Sequence, residues 1–249
     1  LPISPNGHER PRDEPERPVE AVAAAASRPY SCGMTEILIH GFWRSSAAYR
    51  VRIALGLKGL RYRQRPLDLL AGEQHSDAYG KIAPHHLVPA LQYEDQVLIE
   101  SPAILEWIDA KWADPPLLPD NIDDAATVRG MAALIACDIH PLNNLRVLNA
   151  IRGDFDATNP QVKAWIGRWI TQGFAALETL VARHGGTFAF GDTPTLADCY
   201  LVPQIDSAER YAVDMRPFPL LRAAGDAARA LPAVAAARPE LQEGAPERA

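Results

Sequence analysis

Cysteine is scarce in this chain. Its 249 residues include three, Cys32, Cys137 and Cys199, far apart and without a Cys-x-x-Cys pair. That spacing excludes a disulfide framework and a zinc ribbon, leaves no metal site to expect, and suits a reducing, cytoplasmic setting. Long apolar runs are absent as well: none approaches the roughly 20 residues a membrane helix needs, so no membrane partner is expected. Nor is there an excess of positive charge. A net charge of −6 gives no reason to expect nucleic acid, though it leaves room for a local basic cleft. What is present is ordinary for a soluble globular protein, with 47% apolar and 22% charged residues. The length suits one large domain or two small ones.

Residues 1–33 differ from the rest. They repeat Pro, Glu and Arg, then run through Ala23–Ala26, with little that could be buried, so a disordered leader is expected. It lacks the apolar core of a secretory signal, and Glu9, Asp13, Glu14, Glu16 and Glu20 are foreign to a transit peptide. Patterned sequence begins at Met34, which suggests that the leader is dispensable. The stretch 241–249 reads as a loose tail from about Gln242.

Between 34 and 113 the pattern predicts a small α/β domain. Ile37–His40 reads as a buried strand and Phe42–Ser46 as the turn out of it. An amphipathic helix follows, with Ala47, Val51, Ala54 and Leu55 on one face and Lys58-Gly59 at its end. Tyr62–Leu67 fits a second strand, and Gly72–Lys81 a loop or short irregular helix. Val88-Pro89-Ala90-Leu91 starts a third strand, and Val97–Ile99 returns as a fourth. Ser101-Pro102 reads as a helix start with Ser101 as the cap. The order β-α-β-α-β-β-α is that of a thioredoxin-like domain. Residues 114–120 form a proline-rich linker. From 121 to 240 only helical spacing remains, as in Val128, Met131, Ala132 and Ile135, or Trp165, Ile166, Trp169, Ile170, Phe174 and Leu177.

The turn Trp43-Arg44-Ser45-Ser46 sets two hydroxyls and an arginine at a helix start, where unpaired N–H groups gather positive potential. Such a place can bind an anion or hold a thiol as its thiolate. Ser45 and Ser46 could equally be plain caps.

Four segments together resemble zeta-class glutathione transferases, the class that includes maleylacetoacetate isomerases. They are Arg44-Ser45-Ser46 with Arg50-Val51-Arg52-Ile53-Ala54-Leu55, Val88-Pro89-Ala90-Leu91, His140-Pro141-Leu142-Asn143-Asn144-Leu145, and Gly191-Asp192-Thr193-Pro194-Thr195-Leu196-Ala197-Asp198. The resemblance covers roughly residues 35–220. It implies a thioredoxin-like N-terminal domain followed by an all-α domain, glutathione as cofactor and a homodimer. It implies that Ser45, or Ser46 in its place, donates to the glutathione sulfur, lowering the thiol pKa. Val88, in what resembles the family's cis-proline turn, would pair with the tripeptide backbone. Glu100 and Ser101 would take the ammonium and carboxylate of the γ-glutamyl group. Gln74, His140 and Asn144 are further candidate cofactor contacts. Thr195-x-x-Asp198 is a capping box with a structural role.

The implied reaction is cis–trans isomerisation of a small dianionic enedione, maleylacetoacetate to fumarylacetoacetate, by reversible thiolate addition. Arg44 and Arg210 would anchor substrate carboxylates and stabilise an enolate, with Arg146 as a further candidate. Maleylpyruvate is the alternative substrate. A general transferase or a non-catalytic binding module of the same fold are the other readings. Two departures stand out: Ala47 occupies a position where many zeta sequences carry cysteine, and His85-His86-Leu87 precedes Val88. The first leaves glutathione-dependent isomerisation possible but disfavours reductive dehalogenation. The second offers either a contact to the glycyl end or a solvated loop.

Overall fold

A computed structural model describes residues 36–246; the expected leader, Cys32, and the last three residues lie outside the described residues. The chain begins with β1 (Ile37–Gly41), α1 (Ser46–Leu57) and β2 (Tyr62–Pro66). A 3-10 turn over Glu73–His75 and α2 (Asp77–Gly80) lead to β3 (Ala90–Tyr93), β4 (Gln96–Ile99) and α3 (Ser101–Lys111). The four strands form one sheet in the order β2-β1-β3-β4. β1 is parallel to β2 and antiparallel to β3, with Ile39 opposite Leu91, and β4 returns antiparallel to β3. This is the mixed sheet of a thioredoxin-like domain, as the strand and helix order implied.

All-helical chain follows: α4 (Ile122–Ala133), α5 (Leu145–Gly153), α6 (Asn159–His184), α7 (Leu196–Arg210), α8 (Pro219–Ala230) and α9 (Pro232–Ala236). Phe174, Leu177, Leu201, Val202 and Leu221 are among the side chains that close its core, continuous with that of the sheet layer. The capping box at α7 is present: Asp198 accepts the Thr195 amide at 2.8 Å, and its other oxygen accepts the Ala189 amide at 2.9 Å. Burial lifts its carboxyl to about 6.

The structure corrects several details. α1 is not amphipathic: Ala47 through Leu55 are all buried, Arg50 and Arg52 included. The helix packs against α3, α7 and α9, which leaves it no solvent face. Lys58 and Gly59, at φ +66°, end it as expected. The third strand begins at Ala90, two residues late, and a cis Val88-Pro89 bond precedes it. Ser101 is not the cap of α3. It is the first helical residue, and Glu100, at φ +65°, occupies the cap position without a side-chain hydrogen bond. Ser101 is buried and its hydroxyl is engaged elsewhere. Gln242 is not loose either: it is buried, donating to the carbonyls of Ala236 and Arg238 and pairing with Gln64.

Candidate active site

A cleft opens where the sheet layer meets the helices, lined by Ala47, Arg50, His85, Leu87, Val88, Pro89, Glu100 and Ser101 on one side. Ala136, His140, Pro141, Asn144 and Arg146 line the other. Three helices start at this cleft. Ala47 belongs to the first turn of α1, Ser101 and Pro102 open α3, and Asn144 caps α5. Each contributes the positive end of a helix dipole and N–H groups without an intrahelical partner. Two ends are capped from within: Ser45 Oγ accepts the Ala48 amide at 3.2 Å, and Asn144 Oδ1 accepts the Arg146 amide at 3.1 Å. The start of α3 has no side-chain cap.

The far wall is shaped by a π-helical turn, Leu134–Ile139, in which the His140 amide reaches back five residues to the Ile135 carbonyl. Gly173 permits this turn to sit against α6, since a Cβ there would lie 2.3 Å from Ile139 Cδ1. His140 follows immediately. It lines the cleft and is partly exposed there. Burial and then the Arg50 charge hold the imidazole at about 3, so it is neutral at physiological pH.

Arg50 was not singled out as a site residue by sequence reasoning. It is 2% exposed, stacks over the Tyr200 ring at 4.6 Å and donates from Nη1 to Ser101 Oγ at 3.2 Å. Its Nε and Nη2 have no partner, and no carboxylate pairs with it among the described residues. Burial lowers its pKa to about 10, which still leaves it charged. A signal existed: two arginines two residues apart in an otherwise apolar helix must point to different faces, and neither face is solvent. Arg52 takes the structural one, donating to the Ala237 and Trp43 carbonyls, both at 3.1 Å.

The expected site residues divide. Val88, Glu100, Ser101, His140, Asn144 and Arg146 meet at the cleft. Ser45 and Ser46 stand at the start of α1 beside its lining residue Ala47. Arg44, Gln74 and Arg210 are not among the lining residues. Arg44 lies over the Phe42 and Trp43 rings at 5.8 and 5.4 Å. Arg210 is paired with Asp206 one helical turn earlier, at 2.8 Å. Gln74 gives its carbonyl to His86 Nδ1, while its side-chain Oε1 is buried without a partner. Of the two histidines before Val88, His85 faces the cleft, with Nε2 3.7 Å from Glu100 Oε1 and Nδ1 unpartnered. His86 is a loop residue at φ +55°.

The arrangement suits a small anionic molecule with one cationic group: Arg50 and Arg146 supply positive charge, and Glu100 supplies the negative partner. No helix among the described residues is long and apolar enough to cross a membrane, and no cluster of metal-ligating side chains occurs among them.

Comparison with known proteins agrees with this geometry. Residues 44–111 match the glutathione S-transferase N-terminal domain, and 163–237 the C-terminal domain. The chain is 47% identical to a maleylpyruvate isomerase of a Ralstonia species over 82% of its own length and 97% of that protein. It is 44% identical to a maleylacetoacetate isomerase of Pseudomonas aeruginosa, covering 84% and 98%. Among solved structures, a holo maleylpyruvate isomerase of the zeta class superposes with a TM-score of 0.83 at 46% identity, covering 84% of this chain and all of that one. A maleylacetoacetate isomerase from Anaeromyxobacter dehalogenans with glutathione in its active site gives 0.78 at 40%, covering 85% and 99%. The chain belongs to the glutathione S-transferase family, in its zeta class.

Proposed function

We propose that this protein is a glutathione-dependent cis–trans isomerase of small dianionic enediones, with maleylacetoacetate as its substrate and fumarylacetoacetate as product. The observation that carries the reading is the convergence of three helix N-termini on a cleft lined by a buried arginine that makes no ion pair among the described residues. When bound, glutathione supplies a thiolate that adds reversibly to the substrate double bond and frees it to rotate.

The residues present fit such a tripeptide. Ser45 keeps its hydroxyl proton free while its oxygen caps α1, so it can donate to a sulfur anion near the positive end of the helix. Ser46, the first helical residue, is the alternative donor. Glu100 and the uncapped start of α3 suit an ammonium and a carboxylate. The Val88 backbone suits the tripeptide main chain, and His140 and Asn144 complete the wall as uncharged contacts. Arg146 is the arginine of this wall and is assigned to a substrate carboxylate. Arg44 and Arg210 are assigned to the same task, Arg210 after exchanging Asp206 for the ligand. Gln74 remains assigned to the cofactor.

A second reading, maleylpyruvate as substrate, is favoured by the 47% identity to the Ralstonia enzyme. Assays on both substrates, with and without glutathione, separate the two. Turnover that vanishes without glutathione is expected, and absence of turnover on either substrate returns the site to a conjugating or non-catalytic role. The same reading assigns residues 34–113 and 121–240 to two domains and places the enzyme in the cytoplasm in aromatic amino-acid breakdown. It pairs two copies of the chain, a state supported by the exposed Val97 on the edge strand β4 and read by light scattering.

A further inference from the structure

Ser101 and Arg50 together define a feature of the cleft that neither shows alone. A hydroxyl has one proton to give and two lone pairs to receive. Arg50 Nη1 donates to Ser101 Oγ, and a guanidinium can never accept, so the Ser101 proton must go elsewhere. Ser101 lines the cleft and is 3% exposed, at the start of α3, the one helix end there without a side-chain cap. The Arg50 guanidinium is more than nine-tenths buried, with two nitrogens unpartnered and no carboxylate in ion-pair contact among the described residues. A buried charge in that condition costs free energy unless an anion accompanies it.

We propose that Arg50 is a positioning residue for the cofactor: it fixes the Ser101 hydroxyl as a donor toward the cleft and serves as the buried counter-charge of a carboxylate seated at the start of α3. The chemical class recognised is an α-amino carboxylate, the γ-glutamyl end of the thiol tripeptide. The inference rests on the reading of this cleft as a glutathione site. It adds that the glutamyl carboxylate is recognised from behind, through a charge that the ligand does not touch. Tyr200 holds the guanidinium in place from its ring face, which explains why a cation can stay there with a single hydrogen bond.

The test compares glutathione with 4-aminobutyryl-cysteinylglycine, the same thiol peptide without the α-carboxylate of its γ-glutamyl group. Binding to the full-length protein is measured by calorimetry for wild type, Arg50→Lys, Ser101→Ala and the double variant. Arg50→Lys keeps the charge but loses the planar fork, so glutathione affinity falls at least tenfold while the analogue loses less than twofold. Ser101→Ala lowers glutathione affinity several-fold, and in the Arg50→Lys background it adds less than twofold further. Equal losses for both ligands, or independent losses that multiply in the double variant, overturn the proposal and leave Arg50 a packing residue. Should Arg50→Lys fail to fold, nitrogen-15 resonances of the Arg50 guanidinium in the wild type decide: they move on adding glutathione and stay in place with the analogue. If they respond alike to both, the proposal fails. If wild type binds no glutathione, the reading of the site falls and this inference with it. If it binds glutathione while Arg50→Lys binds it as tightly, only this inference falls.

Discussion

The Ser45 hydroxyl accepts the Ala48 backbone N–H at 3.2 Å, so one side chain both caps α1 and retains a free proton at the edge of the cleft. Substitution separates the two roles. Ser45→Ala removes both, costing about 1 kcal/mol of stability together with the thiol donor. Glycine at a cap costs only a few tenths of that scale, so Ser45→Gly is expected to hold its melting temperature and still lose at least tenfold in kcat. A Gly variant as active as wild type would reduce Ser45 to a cap and move the assignment to Ser46.

Arg52 ties the turn before α1 to the C-terminal segment through the carbonyls of Trp43 and Ala237. Arg52→Met leaves one buried and one partly buried carbonyl without a donor, a loss of about 2–4 kcal/mol. For a protein of this size each kcal/mol shifts the melting temperature by about 2–4 °C. A differential scan reading no drop would show that the carbonyls find other donors.

Lys58 is a buried cation held by Asp109 and by the Pro115 carbonyl, and Asp109 also accepts the Leu117 amide at 2.8 Å. Removing one partner strands the other, so Asp109→Ala is expected to cost about 3 kcal/mol or more. Lys58→Met combined with Asp109→Leu recovers part of that loss, because the pair's desolvation goes with it. Chemical denaturation of the two variants gives the comparison; a double variant no better than the single would contradict it.

His140 sets a pH dependence of stability. Its folded pKa is held at about 3, below the ordinary value near 6.5, so between these values the unfolded chain binds more protons than the folded one. Its contribution is therefore fully present above about 6.5 and is lost as pH falls toward 3. His140→Gln is expected to flatten the acid-side decline in denaturation midpoint between pH 6.5 and 4. Parallel profiles for the two proteins would mean that the imidazole gains a partner on protonation.

Much of this was legible in the sequence, for physical reasons. The strand and helix order of the first half follows from alternation and helical spacing in segments such as Ile37–His40 and Ala47–Leu55. The Thr195-x-x-Asp198 box was readable because its chemistry is local, complete within four residues. Contacts that depend on distant chain were not. Ser101 has the form of a cap, and only the arrival of Arg50, 51 residues earlier in sequence, turns its hydroxyl to another use. Arg210 is a different case: its motif suggests a substrate anchor, while its acidic partner Asp206 is local, one helical turn earlier. The candidate site was therefore legible in its backbone-defined parts, Val88, Glu100 and Asn144, and illegible where a buried charge chooses among partners.

The burial of α1 on every side also bears on how the chain tolerates change. A surface helix accepts substitutions in a rhythm of three and four, forgiving on the outer face and strict on the inner. Here Ala47 through Leu55 have no outer face, and only Ser46 and Gly56 in the helix keep partial exposure. Variation along this stretch should meet an unbroken block of intolerance rather than a periodic one. In a library of single substitutions, the segment carrying the donor end of the cleft will be the one with no silent positions to drift through.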